Sequence, residues 1–285
     1  MMKSREIKQF IGENALRLFI AITATFLILF LLIIFSKGGK MISWSFLTES
    51  PRKYMTEGGI FPAIVGTFWL TILSILMALP LGVLTAIYLV SYAKPAWFVR
   101  VVRVAVNTLA GVPSIIYGLF GMAVFVQLLH LDVSLLSGSL TLAILALPVI
   151  INASEEALRS VPHDFREAAL ALGATERQTI LRVLLPTALP NILTGTIISI
   201  GRVAGETAPI LFTAATFYTR RLPSGVMDEV MALPYHFYAL MTEGAHADKQ
   251  VPIAYGTAVV LLALVLTVST VAIIIRYKIR KKRKW

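Results

Sequence analysis

Three groups of residues in this chain have the types and spacing to do chemistry or mechanical work. The first is Arg202 with Glu206, four residues apart inside the otherwise apolar run Ile200–Pro209. An arginine at membrane depth costs on the order of 2.5–3.5 kcal/mol on insertion scales, so it demands a partner or a watery surface. At a spacing of four on a helix the two side chains can pair. Such a pair could fix packing against another helix. Equally, Arg202 could attract an anion, with Glu206 and the adjoining Thr207 holding or gating it. The two roles are compatible and both stay open. Gly201 and Gly205 repeat at the same interval and predict close approach of a neighbouring helix.

The second group is Gly111–Gly121, read GVPSIIYGLFG. Pro113 removes a backbone donor, while Gly111 and Gly118 weaken helix propensity. The sequence predicts a kink here that widens a helix bundle, with cavity lining as a second effect. Freed amides near Ser114 could meet an anion as helix N-termini do. Pro80 predicts a similar kink one span earlier.

The third group is a polar, helix-forming segment of about thirty residues between two apolar runs. Asp164 is the expected N-cap of a helix through Leu172, and Gly173 ends it. Thr175 with Gln178 reads as a capping box opening a second short helix through Leu184, which Pro186 should stop. Two short helices with a glycine elbow make a compact knob, and a knob matters only if it fits into something.

Composition excludes much else. The chain has 285 residues, 57% of them hydrophobic, and a mean hydropathy of +0.80, well above the usual apolar share of soluble domains. With no cysteine and only four scattered histidines, thiol, disulfide and metal chemistry have no candidates. No phosphate-cradling glycine loop is present, so the chain should not bind ATP itself. The net charge of +11 does not indicate nucleic acid. Arg276, Lys278, Arg280, Lys281, Lys282, Arg283 and Lys284 crowd the end of the chain directly after an apolar run, the pattern of an anchor to anionic lipid.

Six spans must position these groups: near Leu18 to Phe35, Gly66 to Tyr92, Val104 to Leu129, Leu135 to Ile151, Pro190 to Phe217 and Ile253 to Ile275. The first run is longer than a signal core and Ser36-Lys37-Gly38 offers no cleavage site, so it should stay as a helix. With both termini cytoplasmic, the inner segments carry Lys3, Arg5, Lys8, Arg17, Lys94, Arg100, Arg103, Arg159, Arg166, Arg177, Arg182 and the basic tail. The outer loops carry Lys37, Lys40, Arg52, Lys53, Arg220, Arg221 and Lys249. Cations thus favour the inside, although the first outer loop is more basic than the rule prefers. This orientation puts the polar knob in the cytoplasm. Glu155 and Glu156, ending the fourth span, should face headgroups or the knob. In the loop from Phe217 to Pro252, Tyr218, Tyr235, Phe237 and Tyr238 suit the membrane interface, or a docking surface for an external binding protein.

The knob carries Glu167-Ala168-Ala169, three residues, Gly173, nine residues, then Val183-x-Leu185-Pro186. This resembles the EAA motif of the permease subunits of bacterial ABC importers, with Val183 standing where isoleucine is more usual. Gly111–Gly121, the run from Gly201 to Ala214 and Met231-Ala232-Leu233-Pro234-Tyr235 narrow the resemblance to phosphate-importer permeases, the PstA branch rather than PstC. It extends from about Gly66 to Ile275.

The resemblance implies an all-α polytopic protein with six transmembrane helices and the type I importer (MetI-like) fold. It implies a first segment over 1–65, a permease domain over 66–276 and a basic tail over 277–285. Glu167, Ala168, Ala169, Gly173, Leu185 and Pro186 would then couple to an ATPase. Arg202 and Glu206 match an arginine and glutamate held important for transport. Implied partners are a PstC-like second permease, two PstB-like ATPases that bind the ATP and Mg, an extracytoplasmic PstS-like phosphate-binding protein, and lipid. The location would be a bacterial or archaeal cytoplasmic membrane. A permease for sulfate, molybdate or a small organic solute fits the same residues. An ion-driven transporter working alone would leave the knob without a role.

Overall fold

The computed structural model describes residues 2–244 and 246–281. Lys282, Arg283 and Lys284 lie outside the described residues, as do the side chains of Lys3, Arg5 and Lys8. The order is α1 (Met2–Gly38), α2 (Trp44–Thr48), a two-residue hairpin of β1 (Pro51–Arg52) and β2 (Glu57–Gly58), α3 (Phe61–Ile87), α4 (Ala96–Ala110), α5 (Ser114–Gly121), α6 (Leu135–Arg159), α7 (His163–Ala171), α8 (Glu176–Thr179), α9 (Leu185–Gly205), α10 (Ala208–Leu211), α11 (Leu233–Thr242) and α12 (Ala247–Lys281). Five continuous helical stretches are long and apolar enough to cross a bilayer, and α4 with the stretch from Ser114 to Leu128 meets the same length and composition only as a sharply bent pair. The chain is an all-α polytopic membrane protein.

The bundle centre is built on small residues. Ala63, Thr67, Thr71, Ser74, Ala78, Gly82 and Ala86 recur every three or four residues along α3 and are buried, forming a flat ridge on which α6 lies. With no hydrophobic drive between helices in lipid, such ridges give close contact instead. Their hydroxyls do not go unpaired: Thr67 donates to the Ala63 carbonyl and Thr71 to that of Thr67, both at 2.7 Å. Leu70, Leu142, Ala146, Ile150, Val203, Ile210 and Tyr235 fill the middle of the bundle.

Two further clusters mark its ends. Ile87, Ala157, Leu158, Ile180, Leu184 and Ile192 gather beside α7 and α8. Phe46, Met55, Ile60, Met231, Leu233 and Ile253 gather at the other end. Helix ends therefore fall on two faces, and α12 runs back toward the α7–α8 face, where Arg276 donates to Thr194 Oγ1 at 2.9 Å.

Several expectations need correction. The third span is not a kinked helix: α4 and the stretch from Ser114 to Leu128 are bent by 101° at residues 111–113. Proline and glycine together break the helix outright, and the freed Leu109 carbonyl is taken by the Val112 amide at 3.0 Å and the Tyr117 hydroxyl at 2.7 Å. Pro186 does not stop a helix either. One helical stretch runs from Glu176 to Gly205 through a π turn over Ile180–Leu184. There the Leu185 amide bonds the Ile180 carbonyl, a five-residue step that makes room for a proline ring that would otherwise clash one turn back. The fifth span thus starts earlier than Pro190 and ends at Gly205, not Phe217. Asp164 sits inside the first turn of α7, with Pro162 at the cap position. Gly201 meets only Val265 at ordinary distance and Gly205 meets nothing, whereas Gly195 is where α6 presses in, against Ala153.

The segment after α10 is less interfacial than expected. Tyr235 is buried in the bundle centre, and the Tyr218 hydroxyl donates to the Pro51 carbonyl at 3.2 Å. His236, on α11 outside the long spans, is fully enclosed, and neither ring nitrogen has a hydrogen-bond partner. Burial pushes its imidazole down to about 4.

Candidate functional site

The knob forms much as its local residues dictate. Thr175 accepts from the Gln178 amide at 3.3 Å, and Gln178 Oε1 accepts from the Thr175 amide at 2.9 Å, a complete capping box. Gly173 turns the chain with φ +83°, a left-handed conformation that other residues adopt at a cost. Arg166 Nη2 reaches both carboxylate oxygens of Glu176 at 3.0 Å, tying α7 to α8. Glu167, Ala168 and Gly173 share the exposed surface, while Ala169 is buried beneath them. Leu172, at the tip, is 89% exposed. Sequence reasoning passed over it, although a large apolar residue on an otherwise polar elbow is itself the signal of a missing partner. Leu185 and Pro186 lie apart from this surface, inside the long helix and facing α3.

That helix has two unlike sides. Asn191, Thr194, Ile198 and Arg202 succeed one another at intervals of three or four and share one side. The first three border a cavity of ≈ 310 Å³ with Ala153, Glu156, Ser160 and Gly195. Asn191 reaches Ser160 at 3.4 Å, Arg276 bonds Thr194, and Asn152 donates to Asn107 at 3.0 Å nearby. The other side, with Leu185, Leu189, Leu193 and Ile200, borders an almost wholly apolar crevice of ≈ 650 Å³ completed by Ile72, Leu76, Pro80 and Val268. Pro80 lines this crevice within an unbroken α3.

At the far end of the polar side, Arg202 Nε meets Glu206 Oε1 at 3.4 Å, both side chains partly exposed. Arg202 lies about 25 Å along the helix from Leu185, within the ~30 Å apolar thickness of a bilayer. The expected pairing is present, but with a difference: α9 ends at Gly205, and Glu206 is extended at its C-cap. Arg202 therefore occupies the last turn, where free carbonyls favour a cation. Thr207 follows as the cap of α10, which packs against Gly118: a Cβ there would fall 2.8 Å from the Ala208 carbonyl. Gly118 is thus a packing position, not a hinge. Tyr117 lies within electrostatic reach of Arg202. Ser114 is one turn away from Tyr117, yet among the described residues no hydrogen bond joins it to Arg202 or Glu206. Gly111 sits at the break in a right-handed conformation.

A second charge cluster escaped the sequence. Glu155 is buried rather than open to the surface. It accepts from Arg103 of α4 at 2.5 Å and from Arg159 at 3.0 Å. Fifty-two residues separate Arg103 from Glu155, so no local pattern announces the contact. Glu156 lies exposed on the polar cavity.

A model of the binding-protein-dependent transport system inner membrane component family matches residues 78–284. This chain belongs to that family. The inner membrane component shares its fold with a chain of the inward-facing MetNI methionine ABC transporter, with a TM-score of 0.58 at 23% identity, covering 78% of this chain and 94% of that one. It is 31% identical to the probable ABC transporter permease protein YqgI of Bacillus subtilis, over 92% of this chain and 93% of that protein. It is 37% identical to the phosphate transport system permease protein PstA 1 of Mycobacterium tuberculosis (83% and 77% covered), and 38% identical to the probable PstA of Methanocaldococcus jannaschii (75% and 74%).

Proposed function

We propose that this inner membrane component is the PstA-type permease of an ATP-driven inorganic phosphate importer and forms half of its pathway. The observation that carries the substrate is the 37% identity, across 83% of this chain, with a phosphate transport permease. The geometry supports an anion. A helix side carrying Asn191 and Thr194 leads from the knob face past Ile198 to Arg202, whose contact with Glu206 at 3.4 Å is loose enough to exchange for a bound oxyanion. Such charge-assisted contacts are worth roughly 1.5–3 kcal/mol, enough to attract an ion without trapping it.

The remaining parts follow. A PstC-like permease would cover the polar side, an extracytoplasmic PstS-like protein would deliver phosphate, and two PstB-like ATPases, holding ATP and Mg, would grip the knob through Glu167, Ala168 and Leu172. Both termini would then be cytoplasmic, since α12 runs toward the α7–α8 face, where Arg276 bonds Thr194, and α1 packs antiparallel to it, its end at Gly38 lying against Tyr255. ATP-driven closure of the ATPases pulls the knob, and the continuous helix to Gly205 carries that movement to Arg202, alternating access to the site.

The test is reconstitution of the assembled complex in liposomes. Labelled phosphate should accumulate only with ATP and the binding protein, and excess sulfate or molybdate should not compete. Uptake without ATP or partners would instead identify a secondary transporter.

A further inference from the structure

We propose that α4 lies flat in the phospholipid headgroup layer on the knob side, binding anionic lipid along its outer face. The bend supplies the orientation. The stretch after Ser114 runs beside α6, with Gly121 against Thr141, and so follows the axis of a span. A helix bent from it by 101° lies across that axis, in the plane of the membrane. The depth follows from what α4 touches: Val106 packs with Leu89, at the end of the second span, and with Ile151, while Arg103 bonds buried Glu155.

The outer face has the composition of an interfacial helix. Trp97, Val101 and Val104 share one side and are 68%, 57% and 59% exposed. Arg100 flanks them and Lys94 lies two residues before the helix, neither in an ion pair among the described residues. Exposed Tyr88 and Tyr92 sit at the same level, with Tyr88 edge-on to Phe98. Aromatic rings and shallow aliphatic groups belong at the headgroup boundary, and cations beside them select anionic lipid over zwitterionic. A protein partner would have to cover Trp97 together with two unpaired cations, whereas an anionic headgroup layer matches both.

The chain has no cysteine, so single spin labels report cleanly. Trp97→Cys, Val101→Cys, Val104→Cys and Val106→Cys variants of the full transport complex would be placed in nanodiscs of phosphatidylcholine with phosphatidylglycerol. Labels at 97, 101 and 104 should show headgroup depth by paired oxygen and nickel-chelate accessibility, with 106 shielded from both. Labels at 101 and 104 shielded like 106 would reveal a covering subunit, and fully aqueous labels a free surface; either result overturns the assignment. Selectivity is read by brominated-lipid quenching of a fluorophore at 101. Brominated phosphatidylglycerol should quench about twofold more than brominated phosphatidylcholine, and the ratio should fall to one in Lys94→Gln/Arg100→Gln. A ratio of one in the parent protein removes the anionic preference.

Discussion

Arg202 and Gly173 fail differently when changed, because one acts through charge and the other through backbone conformation. Arg202→Gln should lower phosphate uptake by about tenfold or more, the size of one lost charge-assisted contact, with the complex still assembled on gel filtration. Arg202→Lys should recover part of it. Dissociation of the Gln variant would mean that Arg202 serves packing. Gly173→Leu faces no steric obstacle, since a Cβ there meets nothing within 4 Å. Its penalty is the left-handed φ, about 1–2 kcal/mol, which should reshape the elbow. Uptake should vanish while ATP hydrolysis by the complex continues, and retained uptake would separate the knob from coupling. The capping box and Gly173 were legible because their partners lie within four residues. Glu155 was not, because its meaning depends on Arg103, which lies fifty-two residues away in sequence.

Among elements, the long helix from Glu176 to Gly205 and the Glu155 joint carry the most consequence. Sequence rules place a helix stop at Pro186, and the structure answers with a π turn, which no local propensity announces because it depends on how α9 must meet α3 and α6. Likewise Pro113 signals a disturbance but not its 101° size, which depends on where α4 seats, with Val106 packed on Leu89 and Ile151 and Arg103 bonded to Glu155. Glu155→Gln should leave Arg103 and Arg159 without their shared carboxylate and lower the melting temperature of the complex, with a loss of about 1–3 kcal/mol. Adding Arg103→Gln should return part of that loss, since a half-exposed cation left facing the bundle without its carboxylate costs more than its absence. If the double variant melts lower still, the two side chains act separately.

For the molecule as a whole, composition announced the membrane and the spacing of apolar runs announced the spans, while the exposed polar side of α9 emerges only when its turns are stacked. Its pH response should also be global. His236 is held neutral in the fold, with its pKa lowered from 6.5 to about 4. The unfolded chain takes up that proton first, so the stability tied to the neutral ring is complete above about 6.5 and declines as pH falls toward 4. Melting in detergent should therefore drop between pH 7 and pH 5, and less so in His236→Gln; equal slopes would exclude the histidine as the cause. The unbroken rod from Glu176 to Gly205 has a last consequence of scale. It is roughly 40 Å long, so swivelling its knob end by about five degrees sweeps the opposite end by about 3–4 Å, comparable to the length of a hydrogen bond. A nudge too slight to unpack the bundle is still enough to make or break a single contact at Arg202, as a crank turns a latch.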